Sequence, residues 1–116
     1  MTEDKKKYEV IDIKAQIKFN PMGLSRQKLH DAPEMRVALM SLKSGQEHKV
    51  HTAPMRLMML CVQGKGTILV GDDKIEAQAM TAVLCDPMVP HGFVADKGED
   101  LVIMAVVTSV DMEDYE

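Results

Sequence analysis

Tryptophan is missing from this chain, and its aromatic residues are limited to Tyr8, Phe19, Phe93 and Tyr115. A core with so few rings must be filled by aliphatic side chains, and 11 methionines take a large share of that task. Thioethers suit irregular apolar gaps and adaptable pocket walls, and when clustered they also ligate soft metals. Only Met55, Met58 and Met59 are closely spaced, so core packing is their expected role. Cysteine is confined to Cys61 and Cys85, both inside apolar runs and far from a Cys-x-x-Cys spacing. That excludes a disulfide framework and predicts buried, reduced thiols. Basic clusters are lacking beyond Lys5, Lys6 and Lys7, and the net charge is −4, so no electrostatic footprint for nucleic acid is present. Every apolar run falls short of the roughly 18 residues that a membrane span needs, and residues 1–7 lack the apolar stretch of a signal peptide. The expectation is a cytoplasmic protein with neither nucleic acid nor membrane as partner. A Gly-x-Ser-x-Gly elbow, a phosphate loop and a dinucleotide fingerprint are also absent, which leaves acyl and phosphoryl transfer without support.

With 116 residues, 46% of them hydrophobic and 28% charged, the chain has material for one packed domain. Residues 1–7 are expected to form a flexible tail and residues 8–116 the domain. Short apolar segments punctuated by turn residues predict strands rather than helices. These are residues 8–13, 36–42, 57–62, 67–70, 75–79, 82–85, 92–95 and 101–107. The pair Gly64 and Gly66 predicts a tight hairpin between 57–62 and 67–70, and residues 71–74 and 96–100 predict two further turns. So many short strands imply an all-β antiparallel sandwich or closed barrel. Segments 57–62 and 101–107 are apolar on both faces, although a sheet with one wet face should alternate. A second subunit is the expected cover for their outer faces, which makes a homodimer.

His51 and His91 stand forty residues apart, each at the end of an apolar strand and each in a proline-bearing loop. From Gly45, five residues lead to His51, and Leu57 and Gly64 follow at regular spacing. Later, Pro87, Val89, Pro90, His91, Gly92 and Phe93 form a proline-rich approach to the second histidine. Over residues 37–107 this pattern resembles the two conserved motifs of the cupins, small jelly-roll barrels. The departures fall on the chemistry. Ala53 stands where the first motif has its second histidine and Leu57 where it has its glutamate, while Met80, Asp86, Met88 and Ala95 replace the Gly, Pro, Gly and Asn of the second motif.

The resemblance implies a jelly-roll fold with a site at the barrel mouth, where three histidines and a glutamate commonly hold Fe, Mn, Ni or Zn. Only His51 and His91 remain as metal ligands, and two imidazoles make a poor site for any metal. A divalent ion is therefore expected to bind weakly if at all. Side chains two apart share a strand face. His51, Ala53, Leu57, Met59 and Cys61, with His91 and Phe93 opposite, are thus the expected pocket wall. His48 falls on the opposite parity and reaches the pocket only if residues 47–50 are irregular. His30, in a polar segment with Asp31 and Pro33, is expected to be a solvent-exposed turn residue. Arg56 is expected at the surface, with anion binding as its alternative, and Asp86 is expected to start a turn, with orientation of His91 as its alternative. Two functions fit. One is a binding module that holds a small organic ligand in a Met- and Leu-lined pocket anchored by His51 and His91. The other is a metal-dependent dioxygenase, isomerase or decarboxylase that draws a third ligand from elsewhere.

Overall fold

In the computed structural model, which describes residues 7–109, the chain forms eight antiparallel strands. They are β1 (Ser25–Ala32), β2 (Met35–Leu42), β3 (Glu47–His51), β4 (Arg56–Val70), β5 (Asp73–Gln78), β6 (Ala82–Cys85), β7 (His91–Ala95) and β8 (Leu101–Thr108). The main path runs β1-β2-β8-β4-β7-β3, with β5 and β6 paired to β4. The fold is the antiparallel jelly roll that the resemblance implies. Of the expected tail, residues 1–6 lie outside the described residues, as do residues 110–116.

β4 joins the two sheets. Its first half pairs with β8 and β6, and its second half with β7 and β5. The hairpin expected around Gly64 does not form, because the chain continues forward there as a single 15-residue strand. The ladder to β8 slips one residue between Cys61 and Gln63, and such a bulge bends a strand without reversing it. Gly64 is required for a different reason than a turn. It has a φ of 89°, and a Cβ there would overlap the Asp100 carbonyl.

Two further expectations are corrected near the N-terminus. Residues 8–13 are irregular and lead into one 3-10 turn, Lys14–Gln16. The segment containing His30 is not a turn but the strand β1, paired to β2 with a slip between Lys28 and His30. The core lies between the sheets and includes Leu42, Met59, Cys61, Ile68, Phe93, Leu101 and Ile103, all essentially inaccessible to water.

Candidate functional site

A cavity of about 190 Å³ opens at one end of the barrel. Its floor is apolar. Met40 from β2, Leu57 and Met59 from β4, Phe93 from β7 and Ala105 from β8 line it, and all five are buried. Strand alternation explains the selection, since Leu57 and Met59 share one face of β4 while Met58 points to the other. Six of the seven residues expected from the sequence, His51, Ala53, Leu57, Met59, His91 and Phe93, line this cavity. Cys61 does not. It shares the face of Leu57 and Met59 but sits one step deeper, with Sγ 3.5 Å from the Gln63 carbonyl oxygen, so it packs below the floor.

The three imidazoles of His48, His51 and His91 meet above that floor. The ring centroids of His51 and His91 are 4.4 Å apart, those of His48 and His51 are 4.8 Å apart, and His48 stacks on Phe93 at 5.0 Å. His48 reaches the cavity because β3 is irregular. His48 pairs with Phe93 and His51 with His91, so three steps along β3 answer to two along β7. That bulge cancels the parity difference and turns both rings to one side. Gly92 lets β3 approach this closely, since a Cβ there would lie 2.7 Å from the His48 carbonyl oxygen.

The ring nitrogens are oriented by backbone. Nδ1 of His48 and Nδ1 of His51 lie 3.1 and 3.2 Å from the same Lys49 carbonyl oxygen, and Nδ1 of His91 lies 3.0 Å from that of Val89. A carbonyl can only accept, so in each neutral ring the proton sits on Nδ1 and Nε2 keeps its lone pair. Burial lowers the pKa of His48 below its ordinary value, and the neighbouring His51, His91 and Arg26 lower it further against a smaller opposing effect of the Lys49 carbonyl. Burial raises both thiols, Cys61 and Cys85, so neither is poised as a nucleophile.

The rim is made by β1 and β2, where Arg26, Lys28, His30 and Arg36 line the opening. Sequence reasoning missed Arg26, Lys28 and His30 because β1 reads as polar and turn-like, and it missed Arg36 because a charged residue at the start of an expected strand looks the same whether it faces a cavity or water. Arg56 is not among the lining residues. It forms a 2.6 Å ion pair with Asp86, which ties the start of β4 to the turn before His91. Asp86 opens that turn, with its carbonyl oxygen 3.3 Å from the Val89 nitrogen, and it is the Val89 carbonyl that orients His91.

The cupin-domain family profile matches residues 38–107. The chain belongs to the cupin family. Solved structures agree on the fold of this cupin. A protein of Thermus thermophilus designated TT1209 superposes with a TM-score of 0.83 at 20% identity, over 87% of this chain and 97% of that one. A double-stranded β-helix protein of Klebsiella pneumoniae gives 0.79 at 16% identity, covering 87% and 90% of the two chains. The polyketide cyclase RemF of Streptomyces resistomycificus gives 0.67 at 18% identity, covering 73% of this cupin and 64% of RemF. No curated protein matches the chain.

The donor set departs from the metal centre that the family implies. The positions of the missing histidine and glutamate are held by Ala53 and Leu57, neither of which has a donor atom. Among the described residues no group of three or more His, Cys, Asp or Glu side chains is arranged to hold a metal ion. Met55, Met58 and Met59 do not form a soft-metal site either. Met55 and Met59 line the cavity, while Met58 pairs with Leu84 on the opposite face.

Proposed function

We propose that this cupin is a cytoplasmic binding protein that holds a small organic molecule in the barrel cavity, with His51 and His91 as polar anchors. The observation that carries this reading is the combination of a buried apolar floor with three backbone-oriented imidazoles above it. Small-molecule sites have this composition, mostly apolar wall with a few fixed polar groups. His48 joins the two expected anchors as a third, because the β3 bulge brings it to their side.

The alternative, a metal-dependent oxygenase, isomerase or decarboxylase, would rest on His51 and His91 with a third ligand. Ala53 and Leu57 weigh against it, since they remove two donors, and although His48 brings a third imidazole to the cavity, no group of three or more His, Cys, Asp or Glu side chains among the described residues is arranged to hold an ion. Elemental analysis of protein purified without chelator or affinity metal separates the two. The binding reading expects metal far below one ion per chain, and denaturing extraction of the same sample should release a small organic compound. Stoichiometric metal that survives a mild chelator would favour the alternative.

A further inference from the structure

Resting on the binding reading above, we infer that the ligand is a small organic anion, a monocarboxylate whose apolar body is about the size of a benzene ring. Three observations carry it. The whole chain has a net charge of −4, yet no aspartate or glutamate lines the cavity, whereas Arg26, Lys28 and Arg36 do. Two carboxylates stand just outside it, Asp31 paired with Lys28 at 3.1 Å and Glu9 with His30 at 3.2 Å, so the positive character of the opening rests on Arg26 and Arg36. Such a region draws anions and repels cations.

The second observation is where the charge sits. On the β1–β2 ladder Arg26 stands opposite Met40 and Lys28 opposite Ala38, so these two cations are placed beside apolar residues of the cavity wall, while Arg36 stands opposite Asp31. Arg26, Lys28 and Arg36 are solvent-exposed while Met40 and Ala38 are buried, which gives the cavity a charged mouth and an apolar floor. Among the described residues neither Arg26 nor Arg36 forms an ion pair. Arg36 instead donates to the Sδ of Met55 at 3.2 Å, a weak neutral acceptor. A carboxylate offers the guanidinium fork a far stronger partner, in a bidentate geometry.

The third observation is size. The cavity measures about 190 Å³. A dry protein cavity of about 150 Å³ accepts benzene, so the floor takes one ring or a short branched chain, with the head group left at the rim.

Calorimetric titration of the intact protein at low salt with benzoate, benzamide, benzylamine and acetate tests this directly. Benzoate should bind about tenfold or more tighter than benzamide, and both benzylamine and acetate should bind more weakly than benzoate. In the variant carrying Arg26→Gln and Arg36→Gln, benzoate should lose its advantage over benzamide, and a preference for benzoate that stays about tenfold would overturn the assignment of the carboxylate to these two arginines. Both substitutions replace exposed side chains, and an unchanged melting temperature would show that the fold is intact. Benzamide or benzylamine binding as tightly as benzoate would overturn the anion inference and leave the pocket reading standing. Acetate matching benzoate would overturn the apolar body. Failure of all four at millimolar concentration would remove the pocket reading and the inference with it.

Discussion

Met80 and Met88 occupy two positions where the cupin motif has glycine, and both keep the glycine conformation, with φ of 75° and 72°. An L-residue in this region pays a steric cost that glycine does not. Both side chains are largely exposed, at 77% and 51%, so little packing opposes their removal. Met80→Gly and Met88→Gly should each stabilise the fold by about 0.5–1 kcal/mol, less the greater freedom glycine gives the unfolded chain. Chemical denaturation checks this, and destabilisation by either would mean that the methionine side chain makes a contact worth more than the strain. His48 gives a second expectation at this scale. Its pKa in the fold lies below the ordinary 6.5, so between those two values the unfolded chain binds more protons than the folded one. Stability should therefore fall as the pH drops through 6.5 toward the folded-state value. His48→Gln should flatten that part of the pH profile, and an unchanged slope would assign the titration to another group.

Strands explain which parts of the site could be read from sequence and which could not. Leu57, Met59, His91 and Phe93 obey simple alternation, so their common face was legible from spacing alone. The same rule admits His48 only if residues 47–50 are irregular, and spacing could not settle that, because a bulge in β3 is a property of its pairing with β7 and leaves no mark in residues 47–51. The bend at Gly64 was misread for a related reason. Its glycine answers to the Asp100 carbonyl of a distant segment, a long-range steric demand that looks locally like a turn. The rim on β1 was missed because charged residues facing a cavity resemble charged residues facing water. Gly92 carries the element-scale prediction. In Gly92→Ala the new methyl meets the backbone of His48 and Val50, so β3 must move away. A loss of about 1–3 kcal/mol is expected, as for other overpacked sites. The separation of His48 from Phe93 should also change, visible as altered ring-current shifts of the His48 protons. A fully stable variant with unchanged shifts would show that β3 does not close on β7 in this way.

At the scale of the whole molecule the outer face of β8, β4 and β6 stays apolar. Met58 pairs with both Val106 and Leu84, and Leu60 pairs with Met104, so five apolar side chains form one cluster on that face. Leu84 is 67% exposed. The homodimer is proposed here, through this cluster, since contiguous exposed apolar surface marks an interaction site. Leu39 and Val102, also on that side, are already fully buried within the single chain, so the contact would use only the β4–β6 half of the face. Sedimentation at micromolar concentration should give a dimer, and Leu84→Lys should give a folded monomer. A monomeric wild-type protein would contradict it. The central claim, that a small molecule enters the barrel beneath the three imidazoles, is tested most directly by methyl-13C methionine NMR during titration with benzoate or its amide. Met40, Met55 and Met59 should shift together with the ring protons of His48, His51 and His91, while Met22 and Met104 stay in place. Shifts confined to Met58 and Met104 would put the ligand on the outer face and contradict the account.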